Sequence, residues 1–215
     1  MAGGYVLCEY ESVKKEFPEF KRTMEDLERR LIEKAEADWA PLKYAGRRKE
    51  ATFGFPGPGL ETKAGEFGRT SIIPSLFVDN TGTRMSTWDQ WLTSTAAYPI
   101  PGHKMIMAGV ATGYTIPEDF KVGLAGIAFL DKTIRITEIK MQISDRKLPR
   151  INIEEALVYN KPAIIFEEGF ILDEKAVFEL WAYCLTEGPQ RIKLIGFQVN
   201  RVKDKLFTEP GAALV

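Results

Sequence analysis

The stretch from Ala176 to Val202 constrains the fold more than any other part of the chain. Ala176–Cys184 and Arg191–Val202 each read as a strand, and Thr186-Glu187-Gly188-Pro189-Gln190 supplies turn residues between them. The two arms are therefore expected to form a long hairpin. Alternation puts Phe178, Leu180, Ala182 and Cys184 on one face of the first arm, with Glu179, Trp181 and Tyr183 on the other. In the second arm Ile195, Phe197 and Val199 share one face, and Ile192 and Leu194 the other. Neither arm has a wholly polar face, so other protein must cover part of each. A lone hairpin supplies no such cover. The arms belong inside a sandwich or at a subunit contact.

Upstream, Pro18 suits an early helix position. From Phe20 the apolar residues fall at Met24, Leu27, Leu31, Ala35 and Trp39, steps that mark one face of a helix over about 18–40, which Pro41 ends. The opposite face carries Glu25, Asp26, Glu28, Arg29, Arg30, Glu33 and Lys34. Three readings of the apolar face stand: it rests on its own domain, it is an arm that rests on a neighbouring subunit, or, least favoured because the polar face is not enriched in basic residues, it lies on a membrane surface. A short strand is expected at 5–10.

Residues 42–70 change character. Lys43, Arg47, Arg48 and Lys49 form a local basic cluster, and Phe53-Gly54-Phe55-Pro56-Gly57-Pro58-Gly59 follows. That Pro/Gly density blocks helix and interior strand. It lacks the three-residue glycine period of collagen and the Gly-Lys-Ser/Thr close of a phosphate loop. The expectation is an extended connection lying on a surface, with Phe53, Phe55, Leu60 and Phe67 as its anchors. On the arm reading, the candidate subunit contact is Phe20, Met24, Leu27, Leu31, Trp39, Phe53, Phe55 and Phe67. Residues 1–70 then form an N-terminal arm, and 71–215 a β-sandwich domain.

From Ser71 the chain reads mostly as strand. Pro74 interrupts the first apolar run, as at an edge or bulge, and Asp79-Asn80-Thr81-Gly82 is a turn. Ser86–Leu92 reads as a brief helix begun by Ser86 or Thr87, and Tyr98–Gly102 as another turn. Lys104–Thr112 and Phe120–Leu130 are strands, the second with a bend or close approach at Gly123 and Gly126. Asp131-Lys132 is a candidate two-residue turn. Thr133–Ser144 alternates with a slip of phase that a bulge near Thr137 would explain. Ile153–Val158 is a candidate helical turn and Pro162–Phe166 a short strand. Roughly eight strands separated by turns predict an all-β, antiparallel β-sandwich with an N-terminal helical arm.

The chain offers little for chemistry. Its one histidine, His103, lies in a Pro-Gly-His-Lys turn and is read as structural or surface. A multi-histidine or cysteine-rich metal site is excluded, no Gly-x-Ser-x-Gly elbow exists, and no cofactor is expected. Glu167-Glu168 alternate across a strand and are ill placed to share a proton. Carboxylates from distant strands, as in glycoside hydrolases, remain the weakest alternative. Trp88, Trp91 and Tyr98 form a candidate saccharide-stacking platform, the second alternative; the competing reading is that the two tryptophans staple a short helix to the core.

Composition narrows the class further. At 45% hydrophobic and 27% charged, the 215 residues match a folded chain rather than a disordered one. With net charge −1, no global field draws it to nucleic acid; only the cluster Lys43, Arg47, Arg48, Lys49 offers such a contact. Cys8 and Cys184 are too few for a disulfide framework, and Cys184 alternates with core residues. Met1–Tyr5 shows no secretory leader, and no stretch is long and apolar enough to span a bilayer.

With short turn-linked strands before them, Phe178–Tyr183 and Arg191–Phe197 give residues 71–205 a pattern that resembles the single jelly-roll structural proteins of prokaryotic virions. The resemblance implies a capsid or capsid-associated subunit, assembled in the host cytoplasm, whose partners are copies of itself and other structural proteins. The helix at 18–40 departs from the irregular arms common in that family. The expected function is structural self-assembly rather than catalysis.

Overall fold

The computed structural model describes residues 18–47, 66–131, 133–154 and 163–201. The expected strand at 5–10, the anchors Phe53 and Phe55, and most of the helical turn at 153–158 lie outside them.

Among the described residues one α-helix, α1 (Pro18–Asp38), precedes twelve strands: β1 (Lys43–Arg47), β2 (Glu66–Ser71), β3 (Phe77–Asp79), β4 (Asp89–Leu92), β5 (Gly102–Gly109), β6 (Phe120–Phe129), β7 (Ile136–Ile143), β8 (Arg146–Lys147), β9 (Ile151–Asn152), β10 (Ala163–Leu172), β11 (Phe178–Cys184) and β12 (Gly188–Arg201). They form two sheets. One runs β1-β2-β12-β6-β10, with β4 also on β12; the other runs β3-β5-β11-β7-β8, with β9 on β7. Among the described strands β1 and β2 pair in parallel and the other ladders are antiparallel. With the added edge strands β1, β3 and β4 set aside, and β8 and β9 taken as one, the sheets read first–eighth–third–sixth and second–seventh–fourth–fifth. That is the strand order of a jelly roll.

The expected hairpin does not form. β11 pairs with β5 and β7, while β12 pairs with β2, β4 and β6. The turn after Cys184 carries the chain from one sheet to the other. Each arm finds its partners far away in sequence, which local alternation cannot specify.

The two apolar faces of β12 nevertheless have the cover they required. Ile192 and Leu194 point into the core between the sheets, with Phe178, Leu180, Ile139 and Met141. Ile195, Phe197 and Val199 point outward and lie under α1. The helix is thus a third layer. Phe20, Met24, Leu27, Leu31, Ala35 and Trp39 are each at most 3% exposed. They are seated on Phe67, Ala125, Ala128, Ala163 and Ile165 besides the β12 residues. The reading of α1 as an arm on a neighbour is thereby corrected. Its contact face is consumed within the chain, at roughly 1.5–3 kcal/mol of apolar transfer for each large side chain. Phe67 is spent likewise, edge-on to Trp39 at 5.4 Å. Because β2 runs through residue 70 and joins β12, the boundary at 70 also moves: helix and early strands belong to the same packed body.

The glycines explain how a helix fits so close. Leu27 and Leu31 sit directly over Gly123, and Leu27 over Gly169, where added β-carbons would come within 3.2 Å and 2.7 Å of them. In β10 a bulge between Ile165 and Phe170 takes Phe166–Gly169 out of the ladder with β6. There the Gly169 carbonyl accepts from the Arg30 guanidinium. The bulge expected near Thr137 is present: Tyr183 faces Glu138 and Cys184 faces Ile136, leaving Thr137 over.

Residues 86–92 are a further correction. They form no helix; β4 alternates exposed Asp89 and Trp91 with buried Gln90 and Leu92. Pairing with β12 overrides the three-residue tryptophan spacing.

The C-terminal end of α1 is held by charge. Lys121, 3% exposed, places Nζ 2.7 Å from Asp38 Oδ2 and 3.0 Å from Asp173 Oδ1. It also lies over the Trp39 ring at 5.4 Å. Trp39 Nε1 donates to Glu174, and Arg201 pairs with Asp119. Arg69 is clamped between Glu28, 2.7 Å away, and the Phe197 ring.

Candidate functional site

With α1 over one sheet, the broad face of the sandwich that no other described element covers is the outer face of the other sheet. Three central strands build it. β7 presents Glu138, Lys140 and Gln142; β11 presents Glu179, Trp181 and Tyr183; β5 presents His103. Register sets their neighbours: Tyr183 lies opposite Glu138 and His103, Trp181 opposite Lys140 and Met105, and Glu179 opposite Gln142. Lys147 on β8 faces Gln142.

A shallow depression of about 280 Å3 runs across this face, lined by His103, Lys140, Gln142, Lys147, Arg150, Glu179 and Trp181. The indole at its centre is held by its own strand, since Nε1–H donates to Glu179 Oε2 at 2.8 Å. Tyr98, from the loop after β4, meets the indole edge-on with centroids 5.8 Å apart. His103 lies edge-on to Tyr183 at 5.1 Å. Glu138 Oε1 receives Arg150 Nη1 at 3.1 Å and stands 3.4 Å from His103 Nε2. Among the described residues, no carboxylate lies within ion-pair range of Lys140 or Lys147. The face thus combines a fixed aromatic plate, hydrogen-bonding side chains and two uncompensated ammonium groups.

Comparison with protein-family models, curated proteins and solved structures found no match.

The aromatic trio expected to act together is dispersed. Trp88 is half-buried and tilts against Phe77 with centroids 6.1 Å apart, so it belongs to the core. Trp91 stands 64% exposed on β4, opposite Pro189. Tyr98 does not line the depression but packs edge-on against Trp181, which does. The signal for Trp181 was the outward Glu-x-Trp-x-Tyr face of β11. The signals for Lys140 and His103 were weaker, because only the strand order brings them alongside.

The remaining candidates fall elsewhere. Lys43 and Arg47 are the two ends of β1, and Lys43 is exposed; Arg48 and Lys49 lie outside the described residues. Glu167 and Glu168 are exposed in the β10 bulge. Cys184 is a buried free thiol; desolvation pushes its pKa up to about 11, against a smaller opposing pull from Lys104. Among the described residues no helix is long and apolar enough to cross a membrane.

A second surface feature lies at one end of the sandwich. Leu130 follows β6 directly and its amide donates to the Arg191 carbonyl at 3.1 Å; Leu185 follows β11 directly and its amide donates to the Arg135 carbonyl at 2.7 Å. Arg135 bridges to Pro189, opposite Trp91. Trp91, Leu130 and Leu185, at 64%, 45% and 43% exposed, therefore share this end. Arg191, Asp89 and Glu187 border it, the first two joined at 2.7 Å.

Proposed function

We propose that this chain is a structural subunit that assembles with copies of itself, of the kind that forms virion shells in prokaryotic viruses, and that it carries out no reaction. Strand order alone does not give function. The observation that carries the reading is three large apolar side chains, Trp91, Leu130 and Leu185, exposed at one end of the jelly roll, with the Asp89–Arg191 ion pair beside them. An apolar centre with a polar rim is the anatomy of a protein interface. Such a subunit contacts its neighbours end-on rather than through α1, whose apolar side is already occupied. Contact with a genome, if this shell holds one, falls to the cluster at Lys43, Arg47, Arg48 and Lys49.

The test is the mass of the particle in solution, by light scattering and negative-stain microscopy. Wild-type protein is expected as closed oligomers or shells. Trp91→Asp combined with Leu185→Asp is expected to give monomers with unchanged circular dichroism, because both side chains are exposed. Wild-type protein that stays monomeric at high concentration would overturn the reading.

A specific observation favours a second reading, a saccharide-binding sandwich. The Trp181 plate sits in a depression rimmed by hydrogen-bonding groups, the general form of a small-ligand site. Tyr98 supports that plate, whereas Trp88 and Trp91 do not. Binding to an oligosaccharide array that Trp181→Ala abolishes is the expected outcome of this reading. An array with no binder would remove it.

A further inference from the structure

We infer that the depression on the open sheet takes an acidic saccharide, a sugar bearing carboxylate or sulfate groups; the inference rests on the saccharide-binding reading and names its ligand class. The argument begins from charge. The chain as a whole carries −1, yet three cations, Lys140, Lys147 and Arg150, converge on this one hollow.

Two carboxylates stand near them, and both are engaged. Glu138 receives Arg150, and Glu179 accepts the Trp181 Nε1–H. Lys140 and Lys147 are left without an acidic partner among the described residues. Lys140 lies directly across from Trp181 in register, so an anionic group held by its ammonium would keep the rest of the ligand over the indole.

Size and shape agree. At about 280 Å3 the hollow falls just below the roughly 300–1,000 Å3 of common ligand sites, a size that suits one or two sugar rings. It opens onto a broad sheet face, so a longer chain could continue past it. Sugar rings offer apolar C–H faces to an indole and hydroxyls to Gln142 and His103. A nucleic-acid strand is less well served: it needs a longer cationic track and several stacking rings, and the described face offers only this group.

The test uses calorimetric titration of the full chain with three probes: a neutral gluco-oligosaccharide, a carboxylated oligogalacturonate and a sulfated heparin-derived oligosaccharide. At least one acidic probe is expected to bind and the neutral one not, and which acidic probe binds distinguishes carboxylate from sulfate. The double variant Lys140→Ala, Lys147→Ala is expected to weaken binding roughly tenfold or more, with an unchanged melting temperature. Trp181→Phe is expected to retain part of the affinity and Trp181→Ala little. Equal binding of the neutral probe, unaffected by the lysine substitutions, would overturn the acidic assignment and leave the saccharide reading standing. No binding of any probe would overturn both. Binding of the acidic probes that Trp181→Ala leaves intact would also overturn the inference, since simple charge attraction would then account for it.

Discussion

Single residues here decide whether layers can meet. Gly196 combines φ of +148° with a position where a β-carbon would lie 1.9 Å from the Gly123 carbonyl oxygen. Both atoms belong to backbone at the β12–β6 bulge, so neither can rotate aside. Gly196→Ala is expected to cost on the order of 3 kcal/mol, read as a shift of the denaturant midpoint. Gly82 separates the two effects: its φ is +81° but nothing lies within 4 Å, so Gly82→Ala should cost only about 1–2 kcal/mol. Sequence reading at this scale was sound where a residue's role is local. Gly123 was expected to allow a close approach, and the thing that approaches is Leu27. The Thr137 bulge was visible as a slip in alternation. Trp88 and Trp91 misled because a three-residue spacing has two explanations, and only the pairing of β4 with β12 decides between them.

At the scale of elements, α1 and β12 were both legible in outline. The period of the helix named its buried face, and the doubled apolar faces of β12 announced that something must lie on each side. What could not be read was that one answers the other. Alternation tells which residues share a face, but partners depend on topology, which is why the supposed hairpin separates into two sheets. The candidate site suffered in the same way: Trp181, Lys140 and His103 lie on three strands, joined only by register. The charge clamp at the end of α1 makes a prediction. The Asp38 carboxyl is held below its ordinary range, chiefly by the hydrogen bond from Lys121 and also by attraction to Lys121 and Lys34. Its folded pKa is thus lower than its unfolded one. The clamp's contribution is complete above the unfolded value, about 4, and is lost as pH falls through the folded value. Melting temperature followed downward from pH 6 should therefore fall in acid. Asp38→Asn should lower stability at neutral pH and make this acid dependence shallower.

For the whole molecule, the helix changes what the jelly roll can expose. A bare sandwich would present Ile195, Phe197, Val199 and Ile165 to water on one broad side. Protein lacking residues 1–40 is accordingly expected to bind a hydrophobic dye and to aggregate, rather than remain a smaller soluble sandwich; size-exclusion chromatography checks this. The asymmetry also divides labour. One broad side is sealed by α1, the opposite one carries the Trp181 depression, and an end carries Trp91, Leu130 and Leu185. Ligand contact and subunit contact would thus occupy separate surfaces, so each can be removed without the other.

The place of β12 has a temporal consequence. Like β6 and β10 it has residues in both hydrophobic compartments, and it follows every other described strand in the chain. During synthesis the helix is therefore made early, while its seat is finished late. The greasy side of α1 must wait, shielded by a chaperone or by transient contacts, until the final ladder is zipped.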